Sequence, residues 1–208
     1  MSKVKIGVLI SGGGTNLQAL IDAINGGSIN GNIAVVISDR DNAHGIERAK
    51  KHGIDGIVIS RKDYKNKGEF FDTLINTLKE YEVDLIVLAG FLTILSKNFV
   101  EVFNEKIINI HPALIPSFCG EGYYGQKVHT AALDYGIKVS GATVHFVDEK
   151  ADTGPIILQE AVPVMEDDTP ETLALRVLQV EHKILPEAVR LYCDGKLIIE
   201  GRKVKQIN

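Results

Sequence analysis

The chain is expected to fold as a single α/β domain over residues 1–208: a Rossmann-like, twisted, mostly parallel sheet with helices on both faces and an antiparallel C-terminal extension. Three observations predict it. Apolar, β-branched runs alternate with helical stripes through the first half, the pattern of βαβ units. Those runs are continuous rather than alternating, as in strands buried on both faces. In the second half, two alternating segments flank a turn, the pattern of a hairpin.

The elements follow in order. Residues Val4–Ile10 are apolar and β-branched, and three glycines follow Ser11. Leu17, Leu20, Ile21 and Ile24 then recur at helical spacing. Residues 33–37 read as a second strand, 43–52 as a helix and 56–59 as a short third strand. Phe70, Leu74, Leu78 and Tyr81 form a helical stripe, and residues 84–89 a near-continuous apolar strand. Residues 107–110 make a short strand that ends at His111-Pro112, and 116–125 a loop rich in glycine and aromatics. Residues 128–135 read as a helix. Residues 138–147 and 156–164 alternate around a turn at 148–154. Thr169-Pro170 suits an N-cap and first helical residue. Leu173, Val177, Val180, Ile184, Ala188 and Leu191 continue the helix to a C-cap at Gly195. Residues 197–199 and 204–207 suggest a short terminal hairpin.

Composition narrows the class. Of 208 residues, 45% are hydrophobic and 24% charged, as in an ordinary globular domain. The net charge of -4, from 23 basic and 27 acidic residues, argues against nonspecific nucleic-acid binding, which needs a basic surface. The first strand begins at once after Met-Ser-Lys and is too short for a signal h-region or a membrane span. Cys119 and Cys193 stand in unlike contexts, as reduced thiols do in a cytoplasmic protein. No Cys/His cluster has zinc spacing, so no metal is expected. Small-molecule substrates are expected, with no nucleic acid and no membrane as partner.

Two segments carry the chemistry: Asn109-Ile-His-Pro112 and Asp152-Thr-Gly-Pro155. Asn109 and His111 are two apart at a strand end, so their side chains lean to one face. Ligands of parallel sheets collect at that end of the strands. An amide can hold a developing oxyanion, an imidazole can pass a proton, and a carboxylate can orient and charge the imidazole. The set suits attack of a nucleophile on a carbonyl carbon. A turn-forming Asp152 and a structural histidine are the plainer readings.

Ser11-Gly-Gly-Gly-Thr-Asn-Leu17 joins the first strand to the first helix. Its glycines let backbone approach an anion, and the helix N-terminus offers amide hydrogens. No Gly-Lys-Ser/Thr follows, and Leu17 sits where a dinucleotide fingerprint has its third glycine. A single phosphate and a plain strand–helix turn are the two readings. Asp39 stands where a ribose-binding acid would sit in a nicotinamide oxidoreductase, or is a solvated turn residue. His44, His52, His129, His145 and His182 read mainly as structural or solvated, with His145, sharing a face with Gly141 and Thr143, read also as a residue at the pocket's border. Glu181 beside the last helix stripe is either a rim carboxylate for ribose hydroxyls or a solvated glutamate.

Together these residues resemble the phosphoribosylglycinamide formyltransferases, folate-dependent enzymes of purine biosynthesis. The resemblance runs through Ile10-Ser-Gly-Gly-Gly-Thr-Asn-Leu-Gln18, Leu88-Ala-Gly-Phe-Leu92, Ile108-Asn-Ile-His-Pro-Ala-Leu-Ile-Pro116 and Val144-His-Phe-Val147. It continues through Asp152-Thr-Gly-Pro-Ile-Ile-Leu-Gln159 to Val180-Glu-His182. It implies the formyltransferase fold, with residues 1–100 as a phosphate-binding half and 101–208 as a catalytic and folate-binding half. It implies direct transfer of the formyl group of 10-formyltetrahydrofolate to the substrate amine, by a monomer or homodimer. Asn109, His111 and Asp152 match the catalytic trio, and Gly13, Gly14, Thr15 and Asn16 the phosphate loop. Glu181 matches a residue on the glycinamide substrate. Leu92, Thr93, Ile94 and Leu95 match the segment at the pterin, joined by Asn109. Asp148, Glu149, Lys150, Ala151 and Asp152 match the loop over it, and Lys67 a basic folate contact.

Departures stand beside the matches. Thr93 occupies a place where the family often has arginine. Asn66-Lys-Gly-Glu69 replaces a Ser-Arg-Glu, and the loop 119–125 is longer than in some relatives. Asp152 beside His111 is expected to raise the imidazole pKa. Formyltetrahydrofolate deformylase shares the trio but carries a regulatory domain before its first strand. Methionyl-tRNA formyltransferase carries a further RNA-binding domain. A nicotinamide enzyme leaves the trio unexplained.

Overall fold

The computed structural model describes residues 3–207, which divide into two compact units at Ile108/Asn109. In the first unit, β1 (Val4–Ile10), β2 (Gly31–Ser38), β3 (Gly56–Val58) and β4 (Leu85–Leu88) pair in parallel in the order β3-β2-β1-β4. Val8 lies opposite Val36 on one side and Val87 on the other. Val8, Leu9, Ile37 and Val87 are fully buried, so the continuous apolar runs are strands covered on both faces.

The connecting helices are α1 (Thr15–Asn25), α2 (His44–Lys51) and α3 (Lys67–Glu80). α3 starts ahead of its apolar stripe because Asn66 accepts a hydrogen bond from the Glu69 amide at 2.9 Å and caps it. It buries Phe70, Phe71, Leu74 and Leu78. Phe70 meets Phe71 edge-on at 4.9 Å, and Phe71 meets Phe99 at 5.7 Å. Phe99 belongs to α4 (Lys97–Val102), capped by Ser96. Sequence periodicity does not reveal this helix, because six residues with two buried positions are too few for a 3.6-residue repeat. A single 3₁₀ turn at Arg61–Asp63 escapes for the same reason.

The division falls within β5 (Ile107–His111), whose Asn109 and His111 belong to the second unit. That unit continues with α5 (Gln126–Tyr135), β6 (Val139–Phe146), β7 (Ile156–Pro163), α6 (Pro170–Cys193), β8 (Leu197–Glu200) and β9 (Lys203–Gln206). β6 and β7 are the expected antiparallel hairpin, and β8 and β9 a second one. β9 runs parallel to β7. The β6–β7 register slips between Val144 and His145, and such irregularities redirect side chains.

Two expectations change. β6 is not half-exposed: every residue from Ser140 to Phe146 is buried, and α6 packs against it. The cap that closes α6 is Asp194, with Gly195 just beyond it at φ 68°. At the other end the capping of α6 is as read. Thr169 accepts from the Thr172 amide, Thr172 returns the bond, and Pro170 opens the helix. Among the described residues no helix is long and apolar enough to cross a membrane.

Candidate active site

In the second unit the two motifs converge. Asn109 and His111 project from β5, and Asp152 comes from the turn after β6. One Asp152 oxygen takes a hydrogen bond from Asn109 Nδ2 at 3.4 Å and stands 3.6 Å from His145 Nε2. The other accepts from the Gly120 amide at 2.8 Å and stands 3.5 Å from His111 Nδ1. The carboxylate thus faces four partners with both oxygens.

Local sequence builds this turn. Asp152 adopts φ 56°, the left-handed region that aspartate tolerates better than most residues. Gly154 must be glycine, because a Cβ there would sit 1.8 Å from the Phe146 carbonyl oxygen. Asp148 accepts from Thr153 Oγ1 at 2.6 Å and from the Lys150 amide at 3.2 Å, which closes the turn. Thr143 and Gln159 hold the segment after His111. Thr143 Oγ1 donates to the Ala113 carbonyl at 2.6 Å and accepts from the Ile115 amide at 3.1 Å. Gln159 Nε2 donates to the Ile115 carbonyl at 3.0 Å. The Ile115–Pro116 peptide is cis.

The ring protons can be placed by chemistry, since a carbonyl oxygen only accepts. His111 Nε2 lies 2.9 Å from the Phe118 carbonyl and donates to it, so Nδ1 of the neutral ring carries a lone pair toward Asp152. His145 Nδ1 lies 2.7 Å from the Phe146 carbonyl and donates to it, so Nε2 accepts from Asn109 Nδ2 at 3.1 Å. Phe118 holds its carbonyl there at φ 50°, an uncommon conformation for a bulky residue.

The expected rise in the His111 pKa does not occur. Burial, with 4% of the residue exposed, lowers it more than the Asp152 charge and the Phe118 hydrogen bond raise it, and His145 lowers it further. Burial pushes the Asp152 carboxyl up, but its interactions with His145 and His111 in their protonated forms and the Gly120 amide together hold it below the usual carboxylate range. The ionised acid and the neutral imidazole are the stable pair.

Sequence reasoning missed two members of this cluster and set a third no nearer than its border. That third is His145, read as mainly structural, which is 1% exposed and bonds Asn109. Its place two residues beyond Thr143 on β6 was the available signal. Gly120 and Phe118 act through backbone, which no side-chain pattern reveals. His129 on α5 is also buried, and burial first and His111 second lower its pKa. Glu181 on α6 is 8% exposed, which removes the solvated-glutamate reading. Glu149 and Lys150 are exposed and Ala151 is half-buried.

The remaining expected residues lie in the first unit. Gly14 is the N-cap of α1 at φ 71° and brings no side chain onto the first-turn amides. α1 has no acidic residue in its first turn, which leaves its positive end free of built-in anions. A Cβ on Gly14 would lie 2.7 Å from Gly45 Cα, so this glycine permits a backbone–backbone approach. Gly12 and Gly13 have open space at that position. Arg48 Nε donates to the Gly13 carbonyl at 2.8 Å and fixes the loop from α2. Thr15 is exposed, and Asn16 and Leu17 are buried. Leu92 and Ile94 are 39% and 48% exposed, apolar surface held out for contact, while Leu95 is half-buried. The Leu92 amide donates to Ser11 Oγ at 2.8 Å, which ties this segment to the glycine loop. Thr93 Oγ1 donates to Asp39 Oδ2 at 2.6 Å, and Asp39 is buried rather than solvated. Lys67 is exposed with its ammonium 5.6 Å from the Phe71 ring centre. Among the described residues no group of three or more His, Cys, Asp or Glu is arranged to hold a metal ion.

A half-buried amide, two buried imidazoles and a carboxylate on a mostly parallel α/β scaffold define a class of carbonyl-group transfer sites. The chain belongs to the formyl transferase family, whose pattern its residues 4–189 match. It is 42% identical to the phosphoribosylglycinamide formyltransferase of Haemophilus influenzae, over 93% of this chain and 89% of that protein. It is 48% identical to the trifunctional purine biosynthetic protein adenosine-3 of Bos taurus over 93% of this chain, and spans only 19% of that relative's length. The structure of glycinamide ribonucleotide transformylase 1 from Symbiobacterium toebii superposes with a TM-score of 0.95 at 46% identity, covering 100% of this chain and 95% of that one. A formyltetrahydrofolate deformylase from Pseudomonas syringae has the same fold, with a TM-score of 0.90 but 26% identity, covering 99% of this chain and 66% of that one.

Proposed function

We propose that this chain transfers the formyl group of 10-formyltetrahydrofolate to the amine of 5-phosphoribosylglycinamide, a step of purine biosynthesis. The observation that carries the proposal is the convergence of Asn109, His111 and Asp152. The names of the relatives support the choice of substrates. The amine attacks the formyl carbon, a C–N bond forms, and the carbonyl electrons move onto oxygen. Collapse of that oxyanion expels the folate nitrogen, which leaves with the proton the amine gives up.

The residues divide the work. His111 Nε2–H passes from the Phe118 carbonyl to the developing oxyanion, the group in the reaction that most needs a donor. Asp152 stabilises positive charge on the ring and passes the amine proton onward through solvent. Gly13, Gly14, Thr15 and Asn16 hold the substrate phosphate by amide hydrogens at the positive end of α1, and Glu181 takes the substrate's polar hydrogens. Leu92, Thr93, Ile94, Leu95, Lys67 and the 148–152 turn bind the folate. The enzyme acts on these small molecules in the cytoplasm, as a monomer or homodimer.

Absorbance of the folate product, followed with and without glycinamide ribonucleotide, tests the reading. Turnover that requires the amine is the expected result. Equal turnover without it makes the chain a hydrolase, and no turnover with it refutes the proposal.

A further inference from the structure

Two consecutive peptide groups of the glycine loop have their carbonyls held from α2. The Gly12 carbonyl accepts from the Gly45 amide at 3.0 Å, and the Gly13 carbonyl accepts from Arg48 Nε at 2.8 Å. A trans peptide is planar, with its N–H directed opposite to its C=O. The Gly13 and Gly14 amides therefore point away from α2. Among the described residues neither amide has an acceptor in the chain. Gly45 lets α2 come this close, because a Cβ there would stand 2.2 Å from Ile10 Cδ1. Arg48 is half-buried, and its Nη1 donates to Gln18 Oε1 at 3.4 Å.

The two peptides are not equally secure. The Gly12 carbonyl is tied by backbone. The Gly13–Gly14 peptide lies between two residues that lack a Cβ, where rotation of the whole group meets least steric resistance. A flip there would present a carbonyl oxygen to an anion in place of an N–H. The hydrogen bond that opposes the flip is the one from Arg48.

We propose that Arg48 is a positioning residue for the substrate phosphate: by holding the Gly13 carbonyl, it keeps the Gly14 amide aimed at the phosphate beside the first-turn amides of α1. The inference rests on the phosphate-binding reading of the glycine loop proposed above, and adds the side chain that sets its geometry. The loop uses the directional donor of Arg48 rather than its charge. Two substitutions separate these. Gln Nε2 stands as many bonds from Cα as Arg Nε, so Arg48→Gln can donate to the same carbonyl without the charge. Arg48→Met has the same reach and no donor.

The test is calorimetric titration of the full chain with ribose 5-phosphate, with ribose as the control, and ¹⁵N–¹H spectra of the same samples. In the wild type the Gly14 amide proton should move downfield when ribose 5-phosphate is added and stay in place with ribose. Arg48→Met should weaken ribose 5-phosphate binding by about 10- to 100-fold, the scale of one hydrogen bond to a charged group. The KM for glycinamide ribonucleotide should rise with it, and the folate KM should change little. Arg48→Gln should restore most of the affinity and the Gly14 shift. Thermal melts check that both variants fold, and the wild-type Gly14 signal bears on the assignment without any variant. Wild-type affinity in Arg48→Met, Arg48→Gln as weak as Arg48→Met, or a Gly14 amide indifferent to ribose 5-phosphate would each overturn the assignment. Binding of ribose 5-phosphate involves no formyl transfer. Intact Arg48-dependent binding without turnover would therefore refute the functional reading and leave this inference standing.

Discussion

Replacing Asp152 by Asn removes one charge from the centre of the cluster and keeps the side-chain shape. Backbone strain does not complicate the change, because Asn accepts φ 56° at least as well as Asp. At 3.5 Å from His111 Nδ1, the carboxylate attracts an imidazolium with a gross energy of about 5 kcal/mol at an effective dielectric constant of about 20. Each 1.36 kcal/mol is a factor of ten in rate, so a step that forms imidazolium should slow by about three to four decades. That figure lies within the range of about 10²–10⁴ for loss of acid–base help.

The substitution is less gentle than its shape suggests. Asp152 accepts from two donors, Gly120 N–H and Asn109 Nδ2, on different oxygens. Asn has one acceptor, so one donor must face an NH₂ group. An unsatisfied buried donor costs about 1–3 kcal/mol, and at this chain length about 2–4 °C of Tm per kcal/mol. The assay is kcat against pH for both proteins, with thermal melts alongside. The rate limb that reports protonated His111 should move to lower pH, because the charge that raises its pKa is gone. A Tm loss with unchanged kcat and an unmoved limb would make Asp152 a turn residue and refute the reasoning.

The glycine loop gives a paired prediction. Gly13→Val has open space, so it should fold normally and raise the KM for the ribonucleotide severalfold while sparing the folate KM. Gly14→Ala collides with Gly45 at φ 71° and should cost about 1–3 kcal/mol; equal folate effects in Gly13→Val would show the loop misread. Acid stability gives another. Burial lowers the pKa of His111, His129 and His182 below the ordinary 6.5, so the unfolded chain binds more protons as pH falls past that value. Their stabilisation is complete above it and is lost as pH drops toward the folded values. Denaturation midpoints should begin to fall near pH 6.5. A fall that starts only in the carboxylate range would refute it.

Much of this was legible in the sequence because it rests on short-range rules. Continuous apolar runs gave β1, β2 and β4. Spacing gave α3 and α6, and the Thr169-Pro170 cap gave the start of α6. Asn109 and His111 were legible as a pair because i and i+2 on a strand share a face. Their meeting with Asp152 was legible only through the family resemblance, since nothing in local pattern fixes how a turn 41 residues beyond His111 will point. His145 was legible only as a residue at the pocket's border, because an alternating reading of β6 makes it an ordinary inward residue. The strand is in fact buried on both faces, and its register slips at that residue. Phe118 and Gly120 stayed hidden because peptide groups, which every residue has, do the bonding.

The sign of the His111 shift shows why the cluster needs all of its members. The family resemblance puts a carboxylate beside the imidazole and so predicts a raised pKa. Burial is the larger influence, and the ring rests neutral with its proton on the Phe118 carbonyl. A permanent imidazolium would be held by Asp152 as a closed ion pair and would have nothing to gain from an oxyanion. A neutral ring with a carboxylate at 3.5 Å gains charge only when an outside demand for the proton appears. Asp152 is then already ionised, held so by the Gly120 and Asn109 N–H donors on its two oxygens. No solvent has to reorganise around it at the moment of transfer, which is the condition under which fixed charges lower a barrier most.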